Sequence, residues 1–173
     1  AVHKANVLLE SDGLFLQEVR RAAESYPDVT YDEALVDAMA ALLVRQPEAY
    51  DVVVTTNMFG DILSDLAAEL SGSLGLAASL NAGSLHAMAQ AQHGSAPDLA
   101  GKDLANPASL ILSTAMLLHW LNGQGRGEQF LQAAQAIETA VEGCLKLPQA
   151  RTADLGGTAG TQAMAQQIAD AIV

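Results

Sequence analysis

Thr56-Asn57-Met58-Phe59-Gly60-Asp61-Ile62-Leu63-Ser64-Asp65 is the stretch that decides the fold, because it follows the apolar run Val52-Val53-Val54 and opens a helical pattern. Asp61 and Asp65 are four residues apart, so on a helix they share one face, where like charges cost about 0.2–0.5 kcal/mol unless something neutralises them. A divalent cation would do so, and open α/β sheets bind ligands at the carboxyl ends of their strands. For this spacing alone, a solvated acidic helix face is the more common explanation.

Strand-like and helix-like patterns alternate on both sides of this stretch. The alternation favours an α/β fold with a parallel or mixed sheet. Asp12 is placed to cap the first helix, and Asn106-Pro107 is typical of a helix start, with Asn as the cap. The predicted strands cover 2–9, 29–36, 52–55 and 85–92. The predicted helices cover 15–23, 38–44, 58–70, 107–121, 128–145 and 161–173.

A segment rich in Gly, Ser and Ala, residues 71–83, predicts a flexible or tightly turning connection. We interpret it as the seam between two structural units, 1–71 and 72–173. The chain also enters a strand-like run at Ala1 without a Met, so we expect its start to be a cut through a larger structure.

The composition excludes several classes of partner. The net charge is −12, from 8 Lys+Arg against 20 Asp+Glu, and no cluster of cations is present, which argues against nucleic acid or an anionic membrane as a partner. The sequence contains no apolar run of 18 residues and nothing that resembles a signal peptide. A single cysteine, Cys144, cannot form an internal disulfide, which favours a reducing, cytoplasmic setting.

Several motifs, in their order along the chain, resemble the isocitrate/isopropylmalate family of metal-dependent 2-hydroxy-acid dehydrogenases, including homoisocitrate and tartrate dehydrogenases. The motifs are His3-Lys4-Ala5-Asn6-Val7, Val36-Asp37, Asn57 to Asp65, His93-Gly94-Ser95-Ala96-Pro97-Asp98-Leu99-Ala100-Gly101-Lys102, Asn106-Pro107 and Arg151-Thr152-Ala153-Asp154-Leu155-Gly156-Gly157. The resemblance implies the C-terminal half of a three-layer αβα fold. Residues 1–71 would belong to its central metal, substrate and dimerisation domain, and 72–173 to its dinucleotide-binding domain.

The resemblance also implies a metal site and a catalytic base. Asp37, Asp61 and Asp65 match the family's carboxylate ligands for Mg²⁺ or Mn²⁺, and three carboxylates with substrate oxygens and water suit such a hard cation. Lys4 matches the lysine associated with proton removal from the substrate hydroxyl. A lysine must lose its own proton before it can act as a base, so this role requires a nearby positive charge or partial burial.

The cofactor prediction likewise depends on the resemblance, since the Gly-x-Gly-x-x-Gly fingerprint of the Rossmann fold is missing. One loop and two asparagines match the family's contacts to the dinucleotide: His93, Gly94, Ser95, Ala96, Asp98, Asn106 and, near the nicotinamide, Asn6. A carboxylate at Asp98 could accept hydrogen bonds from two ribose hydroxyls and would repel a 2′-phosphate, which favours NAD⁺ over NADP⁺.

The chain departs from the family pattern in three places. Gln90-Ala91-Gln92 stands where many members have Glu-Pro-x, and Ala38 replaces a common Asn. Members are also longer, and their substrate-binding arginine cluster and catalytic tyrosine precede the region matched here. The five arginines of this chain do not cluster, so we expect these 173 residues alone to lack turnover.

These expectations combine into one function. The resemblance implies oxidation of a 2-hydroxy di- or tricarboxylic acid of the 3-isopropylmalate or isocitrate type, with decarboxylation. The enzyme would be a homodimer in which Lys4 and Asp37 serve the partner's site and Asp61 and Asp65 their own. Two alternatives remain open from the sequence: a degenerate relative that acts as a binding or oligomerisation module, and an unrelated Mg²⁺- or nucleotide-binding domain.

Overall fold

The computed structural model of the protein describes residues 1–172, and the chain divides into two compact units. The first unit is Ala1–Leu70, and the second begins at Ser71, one residue before the predicted boundary. Both units combine helices with a two-stranded sheet, in agreement with the predicted α/β class. The metal and dinucleotide roles of the two regions stay predictions.

The first unit is built around a short parallel strand pair. Its elements are β1 (Val2–His3), α1 (Ser11–Ala23), β2 (Ala34–Leu35), α2 (Val36–Arg45) and α3 (Asn57–Ser71). β1 pairs with β2 in parallel, and Val2 forms a further parallel bridge to Thr55. The buried core consists of Val2, Met39, Leu43 and Leu63, so the apolar faces of α2 and α3 pack against β1.

The strands predicted over 2–9 and 29–36 are wrong in length. The chain turns directly after β1, since the Val7 and Leu8 N–H groups donate to the Lys4 carbonyl at 2.9 and 2.8 Å. The run Val52-Val53-Val54 forms no named strand and is exposed, with Val52 83% accessible. The apolar run therefore predicted a buried strand that the first unit does not form.

The second unit consists of helices packed on an antiparallel β-hairpin. Its elements are β3 (Ala78–Ala82), β4 (Ala87–Ala91), α4 (Ala108–Gly123), α5 (Glu128–Leu145) and α6 (Thr161–Ala171). The core contains Val141, Cys144, Met164 and Ile168. Residue 173, where the predicted last helix ends, lies outside the described residues. None of the helices within 1–172 is long and apolar enough to span a membrane.

Two buried serines of α4 attach the helix to the hairpin. Ser113 Oγ accepts from the Ser79 N–H at 3.0 Å and donates to the Gln90 carbonyl at 2.7 Å. Ser109 Oγ accepts from the Gln92 N–H at 3.2 Å and donates to the Ala77 carbonyl. These bonds satisfy main-chain groups at the ends of a sheet that has only two strands, and they explain why β3 forms in the segment predicted as a connection.

Candidate functional site

An ion pair joins Lys4 to Asp37. Lys4 Nζ lies 2.5 Å from Asp37 Oδ1, with side-chain exposures of 26% and 65%. Asp37 is in the first turn of α2. The hydrogen bond from Lys4, with a smaller contribution from a backbone donor, holds the pKa of the Asp37 carboxyl below its usual value. The two residues that the sequence assigned to base and metal ligand are therefore in direct contact.

The Lys4 main chain is held by a second carboxylate. Asp12 Oδ2 accepts from the Lys4 N–H at 2.6 Å, and Asp12 is only 2% exposed. The prediction that Asp12 caps α1 is wrong: Glu10 occupies the N-cap position, without a side-chain cap, and Asp12 lies within the first turn. Asn6, predicted near the nicotinamide, is exposed in the following turn.

Asp61 and Asp65 lie one turn apart near the start of α3, and both are exposed. Their oxygen donors suit Mg²⁺ or Mn²⁺. Among residues 1–172, however, no three His, Cys, Asp or Glu side chains converge as a metal site. The donor chemistry therefore fits a hard cation, but the ligand set of this single chain is incomplete, and Asp37 does not complete it.

The predicted cofactor loop forms one exposed segment ahead of α4. Gly94, Ser95, Ala96 and Asp98 are all exposed, and His93 is half-buried with its Nδ1 2.9 Å from the Gly94 carbonyl oxygen. The loop presents main-chain groups and one carboxylate to solvent. An exposed loop of this kind offers hydrogen-bonding groups to a polar ligand.

The side chain of Asn106 ties the end of this loop to the rest of the second unit. The N-cap position of α4 is Pro107 and not Asn106 as predicted, but Asn106 Oδ1 still accepts from the Ala108 N–H at 2.9 Å and so satisfies a donor of the first turn. Its Nδ2 donates to Asp154 Oδ2 at 2.9 Å. A Cβ added at Gly75 would lie 2.6 Å from Asn106 Cβ, so Asn106 also requires glycine opposite it. The bonds to Ala108 and Asp154 use one of the two Nδ2 donors and one of the two Oδ1 lone pairs, so the side chain is held in place and keeps one donor and one acceptor for a ligand.

Sequence reasoning assigned no role to Asp154, although it lies in the quoted motif Arg151 to Gly157. Asp154 Oδ2 accepts from Ser73 Oγ at 2.5 Å as well as from Asn106. Burial raises the pKa of this carboxyl, but hydrogen bonds from Ser73, Thr152 and Asn106 outweigh burial and leave the pKa below its usual value. Asp154 thus joins three separate segments as a carboxylate.

A second tether holds the same loop against α6. Asp103 adopts the left-handed conformation, with φ of 54°, and its Oδ1 accepts from the Gln162 N–H at 2.9 Å. Its main-chain carbonyl accepts from the Thr161 N–H at 3.2 Å. A Cβ at Gly160 would lie 2.1 Å from Asp103 Oδ2, so the close approach requires glycine. Asp103 and Asn106 together fix the segment that connects the predicted cofactor loop to α4.

Comparisons with known proteins identify the relatives of this arrangement. The sequence profile of isocitrate/isopropylmalate dehydrogenase matches residues 1–172. NAD isocitrate dehydrogenase catalytic subunit 5, a mitochondrial protein of Arabidopsis thaliana, is 47% identical over 98% of this chain and 44% of its own length. The 3-isopropylmalate dehydrogenase of Methanothermobacter thermautotrophicus is 46% identical over 98% of this chain and 49% of its own.

A solved structure gives the same result for the fold. The crystal structure of isocitrate dehydrogenase from Methylococcus capsulatus superimposes with a TM-score of 0.89 at 45% identity, covering 99% of this chain and 49% of that one. The predicted partial fold of this type is confirmed. The chain spans about half the length of the relatives it matches.

Proposed function

The chain belongs to the isocitrate/isopropylmalate dehydrogenase family, and from this we propose that it forms the C-terminal half of an NAD- and divalent-metal-dependent dehydrogenase. The substrate would be a 2-hydroxy di- or tricarboxylic acid of the 3-isopropylmalate or isocitrate type. Hydride would pass from C2 to the nicotinamide and the hydroxyl proton to a base. The 3-carboxyl would then leave as CO₂, and the resulting enolate would take up a proton at C3.

The observation that carries the proposal is the Lys4–Asp37 pair, since it unites a candidate base with a candidate metal ligand in a chain whose relatives are dehydrogenases. A binding module has no need of these two groups in contact, and both relatives described above are named for an enzymatic activity. We therefore favour the enzyme over the non-catalytic alternatives.

In the proposed reaction Lys4 receives the proton of the substrate hydroxyl. Before the reaction, Asp37 pairs with Lys4 as the ammonium. Release of that contact and loss of one proton to solvent would leave the neutral amine, which then accepts the hydroxyl proton. Asp61 and Asp65 would hold the divalent cation, which supplies Lewis-acid stabilisation of charge on the substrate oxygens. Because one chain gathers only two of the three carboxylates, a partner subunit would supply Asp37 together with Lys4.

Replacement of Asp61 tests the metal site. In the full-length protein, Asp61→Asn should lower Mn²⁺-dependent turnover of a malate-type substrate at least 100-fold and weaken Mn²⁺ binding, because it removes one charged ligand. Asp51→Asn, an exposed carboxylate outside the helices, is the matched control and should leave both unchanged. Unchanged metal-dependent turnover in Asp61→Asn would remove the metal site from the proposal.

The choice of cofactor can be tested at Asp98. Asp98→Ser should raise the KM for NAD⁺ about tenfold or more and improve the relative use of NADP⁺, because the carboxylate no longer accepts from the ribose or repels a 2′-phosphate. Isothermal titration with each dinucleotide, together with steady-state kinetics, would measure the change. NAD⁺ affinity independent of Asp98 would contradict the assignment of this loop.

The shared dimer site calls for a mixing experiment. Lys4→Met and Asp61→Asn subunits should each be inactive alone, because each variant damages every site. A mixed dimer would contain one site with both defects and one with neither, so refolding equal amounts together should restore up to about a quarter of wild-type activity. No recovery in a verified mixed dimer would show that both residues serve the same subunit's site.

A further inference from the structure

Asp12 is a buried carboxylate, and its Oδ2 accepts a hydrogen bond from the Lys4 main-chain N–H at 2.6 Å. We propose that Asp12 is a positioning residue that fixes the Lys4 backbone so that Nζ reaches the reacting hydroxyl. This inference rests on the proposed function of Lys4 as the base. It assigns Asp12 no contact with substrate or cofactor.

The turn that carries Lys4 is restrained on both sides of the residue. Asp12 accepts from the Lys4 N–H, and the Lys4 carbonyl accepts from the Val7 and Leu8 N–H groups. The next N–H, that of Ala5, donates to His3 Nδ1 at 3.1 Å. With its peptide groups held in this way, Lys4 retains only side-chain rotations as freedom, and a misplacement of about 1 Å at a catalytic group can lower a rate on the order of 100-fold.

The two anchors of Lys4 come from two different helices. Asp12 holds its main chain from the first turn of α1, and Asp37 holds its Nζ from the first turn of α2. Negative side chains are favourable in first turns because the unpaired N–H groups there carry partial positive charge. The helix starts therefore stabilise both carboxylates in the positions from which they orient one lysine.

Burial supports a positioning role over a purely local one. A buried carboxylate is costly unless it is hydrogen-bonded, so the bond that Asp12 accepts from the Lys4 N–H is one that the fold must keep formed. The charged acceptor makes a shorter and stronger bond than a neutral one. Asp12 does not use this strength to cap its own helix, since the bond goes to a residue eight positions earlier.

Two substitutions in the full-length protein separate position from charge. Asp12→Ala removes the acceptor and should lower kcat at least tenfold with KM changed less than twofold, while the amide of Lys4 exchanges faster with solvent. Asp12→Asn keeps an acceptor of the same shape and should retain kcat within about threefold and keep the Lys4 amide protected. Glu10→Ala, which removes an exposed carboxylate two residues away, is the control and should match wild type.

The outcomes distinguish this inference from the proposed function. If wild type turns over and Lys4→Met does not, the role of Lys4 stands whatever the Asp12 variants do. Wild-type kcat in a folded Asp12→Ala, or a tenfold loss of kcat in Asp12→Asn, would then overturn the positioning role alone. Should Asp12→Ala fail to fold in a thermal melt, Asp12→Asn decides the matter, because it tests the same bond in a protein of unchanged side-chain shape.

Discussion

Substitution of Asn106 by alanine should destabilise the second unit by about 2–3 kcal/mol. The loss of its bond to the Ala108 N–H in the first turn of α4 costs about 1 kcal/mol. The loss of its bond to Asp154 adds about 1–2 kcal/mol, which is around the low end of the values for bonds to charged groups because the Asp154 side chain is exposed. Asn106 is itself one of the residues predicted to contact the dinucleotide, so the KM for NAD⁺ should rise as well.

Urea unfolding of the full-length protein, followed by far-UV circular dichroism, measures this cost. With a slope of about 2–3 kcal/mol per molar, the midpoint should fall by on the order of 1 M. Asn81→Ala, at an exposed position of β3, is the control and should shift the midpoint little. A midpoint for Asn106→Ala that equals the control would refute the claim that this side chain ties α4 to Asp154.

A second substitution separates the two bonds of Asn106. Asn106→Asp keeps an acceptor for the Ala108 N–H but sets a new carboxylate against Asp154. Mutual repulsion raises the pKa of such a pair, so the destabilisation should be present at neutral pH and decrease as the pH falls and one proton binds. Asn106→Ala should show no recovery of this kind.

Two further predictions concern stability. Arg20 makes two 2.6 Å hydrogen bonds to Glu33 and holds the pKa of that carboxyl at about 2. The stabilisation from this pair is therefore present above about pH 4.5 and is lost as the pH falls toward 2. Arg20→Gln should flatten the fall in Tm across that range, and an unchanged slope would contradict this reasoning. Met164 is fully buried, whereas Met88 is 57% exposed. In denaturant unfolding, Met164→Ala should lower the free energy of unfolding by about 2–5 kcal/mol and Met88→Ala by less than about 0.5 kcal/mol. Equal costs would show that Met164 is not a core residue.

The helices could be predicted from the sequence better than the strands. Residues 128–145 were predicted helical and form α5 with the same ends, because apolar periodicity and the glycines before Glu128 act locally. Strands depend on partners distant in sequence. β3, an Ala- and Ser-rich segment of low strand propensity, forms because β4 and the α4 serines satisfy its main chain.

The candidate site shows the same division. Family motifs placed Lys4, Asp37, Asp61 and Asp65, but no local pattern indicates that Lys4 contacts Asp37, which is 33 residues away. The roles of Asp12 and Asp154 were missed for the same reason: each carboxylate bonds a group in another segment. Contacts of this kind follow from the tertiary fold and leave no periodicity in the sequence.

The left-handed backbone conformation at Asp103 limits which amino acids are compatible with this position. Glycine would adopt the φ of 54° without strain but would leave the Gln162 N–H without its acceptor. Most other residues disfavour this backbone conformation, and their side chains lack an acceptor that could reach the Gln162 N–H. Asparagine tolerates the conformation and also carries an acceptor, so substitutions at this position should pass mainly between Asp and Asn. A residue larger than glycine at position 160 would then require the side chain at 103 to shift.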